Sequence, residues 1–286
     1  KNEDKLKQKI VMRYFRFLPL VLIASLVAYL LLALELCPLE KFYDITGNTW
    51  GLAMVENEFT FGEALEIGLF RCFFERTHLV SPFWCMFYIF LGSMLSFVMM
   101  LLYTKIDNKI FFFGSAIVLF YFVDQNYLAF IIGLIAGIIA NKEYSLSKWK
   151  GALLVAVGCV LGLFPPVLLP SFIDIVTLYA LGAGFVIVGI HCCFSNNRLL
   201  CNKFAEFLGK ESLALIVWQF LIMQSLNIFL YNSFHSAGLN NPMNIAINFI
   251  VNAGISLFLT WVSSKTITPL TNYTCNKVSA LLWKQG

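Results

Sequence analysis

Two arginines three residues apart, Arg13 and Arg16, stand in the run RYFRFLP at the mouth of a long apolar stretch. On a helix that spacing puts both on one face. Guanidinium forks suit phosphate or carboxylate, for instance the phosphates of a coenzyme A donor. The same pair also fits snorkelling anchors at a membrane surface. In EFLGKESLALIVWQFLIM (206–223), Lys210 and Ser212 form a basic turn entering a second apolar stretch, with Gln219 about two turns deeper. A glutamine in lipid is costly unless it is bonded, so Gln219 is expected to face the bundle interior, as a helix-to-helix hydrogen bond or as part of a site. In SPFWCMFYIFLGSMLSF (81–97), Trp84 belongs at an interface, and Gly92 and Ser93 let helices approach closely. Glu75 and His78 just precede that stretch. The three histidines are dispersed, without metal-ligand spacing, and no C-x-x-C occurs among the eight cysteines, which read as small buried hydrophobes.

These residues must be positioned by transmembrane helices. The chain is 59% hydrophobic, 13% charged and holds 29 Phe, too little polar surface for a soluble globule. Apolar runs of spanning or near-spanning length fall at 17–34, 83–103, 110–123, 127–140, 151–169, 175–193, 212–231 and 245–262. The third and fourth are short and are expected to be thin, tilted or partly re-entrant. Continuous apolar runs argue against a β-barrel. The expected fold is therefore all-α, a polytopic transmembrane bundle of about eight spans forming one membrane-embedded domain over 1–286.

Threading these runs through a bilayer leaves 17 of the 20 Lys and Arg on one side, with Lys41, Arg71 and Arg76 on the other. Basic loops are retained in the cytoplasm, so both ends of the chain are expected there. The net charge of +4 then reflects inner loops meeting anionic lipid, and no nucleic-acid partner is indicated. The long outer segment, about 35–82, is acidic. Within it FTFGEALEIGLFRCFF (59–74) predicts an interfacial or re-entrant helix with Phe61, Leu65, Leu69 and Cys72 near one face.

At three stretches the chain resembles the acyltransferase-3 family of ten-span membrane O-acyltransferases. RYFRFLP is similar to that family's third-helix entry of clustered Arg and a Pro. FWCMFYIFLGS echoes the pattern L-W-T-M-x-x-E-x-x-G-S at Phe83, Trp84, Met86, Gly92 and Ser93, and YLAFIIGLIAGIIA looks like a family span with small residues at Gly133 and Gly137. LGKESLALIVWQ matches L-G-K-x-S-x-x-x-Y-L-x-H at Leu208, Gly209, Lys210 and Ser212. The departures are Ile89 where the family often has Glu, and Gln219 where it has a late His. Gln cannot titrate; it can only exchange hydrogen bonds. The family's catalytic His lies on its first helix, and the resemblance places two further helices before Lys1.

The resemblance implies an enzyme that draws an acyl group, acetyl in expectation, from cytoplasmic acyl-CoA as co-substrate, with no bound cofactor and no metal. The group passes to a hydroxyl of a carbohydrate or other acceptor at the outer face of the plasma membrane. Arg13, Arg16 and Lys210 would hold donor phosphates. Trp84, Ser93, Ser212 and Gln219 would shape the tunnel, Glu75 would help receive the acceptor, and His78 is the candidate substitute base. The alternative is a degenerate relative that binds or transports a lipid-linked sugar or other amphiphile. Membrane lipid is a partner on either reading.

Overall fold

A computed structural model describes residues 2–49, 59–77, 79–80, 83–140, 147–169, 174–194 and 201–282. The protein is an all-α membrane bundle, with no strand among the described residues. Among the described residues four helices are long and apolar enough to cross a membrane: Leu6–Ala33, Phe83–Tyr103, Ser212–Ser236 and Asn241–Leu282. The chain forms two compact units, Lys1–Leu91 with Leu208–Gly286, and Gly92–Phe207.

In the first unit, α1 (Asn2–Ala33) is the central strut. A short helix α2 (Leu39–Thr46) follows, closed by Gly47 at φ +68°, a left-handed turn that glycine takes without strain. Helix α3 comprises Phe61–Glu66, a π-helical turn Ile67–Arg71 and Cys72–Phe74. It starts on a capping box: the Thr60 hydroxyl accepts from the Glu63 amide, and the Glu63 carboxylate accepts from the Thr60 amide at 2.8 Å.

Helix α3 does not lie across the end of α1 but runs antiparallel along it. Phe61 meets Tyr29, Ser25 donates to the Ala64 carbonyl at 2.6 Å, and Tyr14 donates to the Leu69 carbonyl at 2.7 Å. From Tyr29 to Tyr14 is about 22 Å of α1, and α3 lies along that length. The face that packs on α1 is not the one marked by Phe61 and Leu65. Ala64, Ile67, Gly68 and Cys72 are buried, whereas Phe61 and Leu65 are exposed. The small residues face α1 because only they allow the approach: a Cβ on Gly68 would stand 3.0 Å from the Leu22 Cα. The π turn inserts one residue, so the buried face resumes at Cys72 and Phe73 and Arg71 stays off it.

Helix α4 (Phe83–Tyr103) begins in this unit and ends in the other. Its Phe90 closes an aromatic cluster with Tyr14 and Phe73.

The second unit holds the rest of α4, then α5 (Lys109–Val123), a 3₁₀ turn Gln125–Tyr127, α6 (Leu128–Ala140), α7 (Lys148–Gly162) and α8 (Ile175–Phe194). The Phe130 ring lies against Gly92, where a Cβ would stand 2.3 Å from it, so the expected close approach at Gly92 is present. Gly133 and Gly137 instead face open space.

Helices α7 and α8 pack tightest, antiparallel, through glycines seven apart on each. A Cβ on Gly158 would meet the Gly182 carbonyl at 2.5 Å, and one on Gly189 would meet the Gly151 carbonyl at 2.8 Å. The run 151–169 is not one helix. It stops at Gly162, because Pro165 and Pro166 lack the amide needed to continue.

The first unit resumes, after α9 (Lys203–Lys210), with α10, which comprises Ser212–Ile222, a π turn Met223–Asn227 and Ile228–Ser236. Helix α11 (Asn241–Lys265) returns along it, and α12 (Ile267–Leu282), beyond the last expected span, packs on the basic half of α1. Gln8 donates to Ser279 there, placing the described beginning and end of the chain together at one end of this unit.

Candidate anion cavity

Four helices of the first unit and the start of α4 enclose a cavity of about 740 Å³. Arg13, Arg16, Phe17 and Leu20 of α1 form one wall. Gly209, Lys210, Glu211, Ser212, Leu213, Ala214 and Ile216 form the second, around the first turn of α10. Ser263 of α11, Ile267, Thr268, Thr271 and Asn272 of α12, and Ile89 of α4 complete it. The structure thus brings together Arg13, Arg16, Lys210 and Ser212, whose codons lie almost two hundred positions apart.

Local sequence explains each placement. The Arg13 guanidinium lies 4.7 Å from the centre of the Phe17 ring, one turn on, which holds the fork against the wall. Arg16 is exposed at the rim. Glu211 accepts from the Thr268 hydroxyl at 3.0 Å, fastening the start of α10 to α12. Among the lining residues three cationic side chains stand beside one carboxylate, so the lining carries a net positive charge. The amino-terminal turn of α10 adds its own positive field, because the first amides of a helix have no carbonyl partner within it. Two arginines on one wall, and Lys210 with a helix amino-terminus on the other, suit an anion, phosphate above all.

Beside this cavity lies a smaller one, about 340 Å³ and apolar, lined by Ile23, Trp218, Leu259, Val262, Thr266 and Leu270. It shares Ser263 and Ile267 with the first. Trp218 donates from its indole nitrogen to the Ser263 hydroxyl at 2.7 Å, fixing the corner where the two meet. An anionic head and an apolar tail would therefore find adjoining places.

The other expected site residues do not join this cluster. Gln219 is a correction: it is exposed, not interior, because the inward face of this helix is held by Val217, Trp218, Leu221 and Ile222. Only its backbone carbonyl takes part in the interior, accepting from Asn252. Glu75 is exposed and bound to Arg71 at 3.0 Å, an ion pair of adjacent turns. Trp84 is 46% exposed at the start of α4, edge-on to Tyr88. Ser93 is buried in the second unit. His78 lies outside the described residues.

What the sequence reading missed is a buried polar line on α11: Asn244, Asn248, Asn252, Ser256, Thr260 and Ser263. The signal was present, since polar residues recur every fourth position through an apolar run. No family model, no curated protein and no solved structure matches this chain.

Proposed function

We propose that this protein is the core of a membrane O-acyltransferase whose donor is acyl-CoA. The observation that carries the reading is the convergence of Arg13, Arg16, Lys210 and the first turn of α10 on one cavity, beside an apolar one. That pairing matches the donor's chemistry, phosphates at one end and an acyl thioester at the other. The reaction is R–CO–S–CoA + R′–OH → R–CO–O–R′ + CoA–SH. The hydroxyl oxygen forms the new ester bond, the C–S bond breaks, and the hydroxyl proton ends on the thiol. The acceptor is a hydroxyl of a carbohydrate or similar molecule.

On this reading the protein sits in the plasma membrane with the arginine end of α1 toward the cytoplasm, an orientation that the Lys and Arg asymmetry supports. The donor is thereby reached from the side where acyl-CoA is made.

The test uses the full chain in lipid nanodiscs with radiolabelled acetyl-CoA. Saturable binding competed by free CoA, together with label transfer to a hydroxylated acceptor, is the expected result. Absence of CoA binding removes the reading. A second reading, binding or transport of a phosphate-bearing amphiphile, draws on the same head-and-tail pairing of cavities. It predicts competition by lipid phosphates with no label on any acceptor.

A further inference from the structure

Helix α11 is patterned inside out. Ile245, Phe249, Ile250, Phe258 and Trp261 are exposed, while the buried face is polar from Asn244 to Ser263. Those residues span 19 positions, or about 28 Å of helix, close to the ~30 Å of a bilayer's hydrocarbon core. The partner along this face is α10. Asn244 donates to the Tyr231 carbonyl at 3.0 Å, Asn227 to the Asn248 carbonyl at 3.4 Å, and Asn252 to the Gln219 carbonyl at 3.4 Å. At the far end the line reaches Ser263, which lines the anion cavity.

These bonds do not use up the polar groups. Gln224, on the π turn between Gln219 and Asn227, is 1% exposed, and neither its Nε2 nor its Oε1 has a partner. The Oδ1 atoms of Asn227 and Asn248 are likewise buried and unpartnered. Two helices held together for stability alone would not carry such groups into a membrane interior, where each one costs free energy that leucine would not. A π turn opens the helix where Gln224 stands, and such turns recur at functional positions. Polar side chains inside a bundle mark pathways for polar species. Water, donating and accepting about three bonds at a buried site, matches a set of leftover amide donors and acceptors.

We propose that the α10–α11 seam is a hydrated path across the bundle. A file of ordered waters, bonded to Gln224, Asn227, Asn248, Asn252 and Ser256, joins the anion cavity at Ser263 to the opposite end at Asn244. The path gives water and protons access to the cavity from the side away from Arg13. It stands whether or not the protein transfers acyl groups.

Brief X-ray radiolysis of the full chain in nanodiscs tests this, because hydroxyl radicals form from held water and oxidise its neighbours. Mass spectrometry reads oxidation at Met223 and Ile228, which flank the polar stretch. Both are expected to be labelled, and Gln224→Leu is expected to lower that labelling several-fold and to lower Tm. Absent labelling overturns the path, as does labelling that Gln224→Leu leaves unchanged. A rise in Tm in Gln224→Leu also overturns it, since a dry seam gains by losing two unpartnered buried atoms. Should Gln224→Leu not fold, Asn252→Ala carries the labelling comparison: a several-fold loss of label is expected, and unchanged label overturns the path.

Discussion

Neutralising the arginines one at a time separates a built anion site from a merely basic surface. Arg13 is half-buried and stacked on Phe17, whereas Arg16 is exposed at the rim. A hydrogen bond to a charged group in a partly dry site is worth about 1.5–3 kcal/mol, so Arg13→Gln should weaken CoA by roughly 10- to 150-fold. An exposed ion pair is worth about 0.2–1 kcal/mol, so Arg16→Gln should cost only about 1.5- to 5-fold. Phe17→Leu leaves every charge in place but removes the surface that orients the fork, a loss of about 0.5–2 kcal/mol. Raising salt from 0.1 to 1 M shortens the screening length from about 10 to 3 Å, which should erase most of the Arg16 effect and spare more of the Arg13 effect.

The assay is equilibrium binding of labelled CoA to protein in nanodiscs. Arg71→Gln serves as the control, since Arg71 is paired with Glu75 on α3 and does not line the cavity. Equal losses from Arg13, Arg16 and Arg71 would mean general attraction to a basic protein, and the cavity argument would fall. So would unchanged binding after both Arg13 and Arg16 are neutralised.

Other perturbations have equally definite outcomes. A methyl group on Gly158 meets a backbone carbonyl at 2.5 Å, so Gly158→Ala must push α7 and α8 apart; a loss of about 1–3 kcal/mol is expected, read as a lower thermal midpoint, and an unchanged midpoint refutes the packing. Burial pushes the Cys37 thiol up to about 11, so maleimide labelling of its peptide should keep rising tenfold per pH unit past pH 9; a plateau at pH 9 contradicts the burial. Bonds from the Thr60 amide and hydroxyl hold the Glu63 carboxyl below its usual range. A depressed folded value means the cap contributes above the unfolded pKa, near 4.3, and is lost as pH falls through the folded one. Amide exchange at the start of α3 should therefore quicken in acid, and Thr60→Ala, which removes the hydroxyl but keeps the backbone amide, should weaken that pH dependence.

The fold was legible where apolar runs were long and uninterrupted. The stretch 83–103 became one helix with those bounds, and 212–231 became the body of α10. It was less legible where packing overrides pattern. In α3 the bulky side of an amphipathic helix looks like the buried one, but close approach to α1 favours the side with Ala64 and Gly68, and no period reveals that. A π turn is also silent in sequence, yet it decides where Arg71 points. The cavity was half legible: the residue types of Arg13, Arg16 and Lys210 announced phosphate chemistry, but only folding shows that they share a space. The contributions of Thr268, Thr271 and Asn272 were hidden because α12 follows the last apolar run and reads as a tail.

Gln219 and Gln224 show why burial cannot be assigned from cost alone. The argument that a membrane-embedded glutamine must turn inward applies equally to both, since each sits in the same apolar run five residues apart. Five residues advance an α-helix by about 500°, or about 140° past one full turn, so the two point to different sides. Val217, Trp218, Leu221 and Ile222 already face inward before the π turn, so Gln224, seven residues after Val217, falls on their side, and the π turn then brings Asn227 to the same side. Gln224, Asn227 and Asn232 then fall on the buried side with the asparagines of α11, and Gln219 is left outside. The amides thus share one seam. Because the π turn absorbs one extra residue, deleting Ser225 should let a regular α-helix form with Asn227 and Asn232 still facing α11; solvent or lipid exposure of both after the deletion would refute this account.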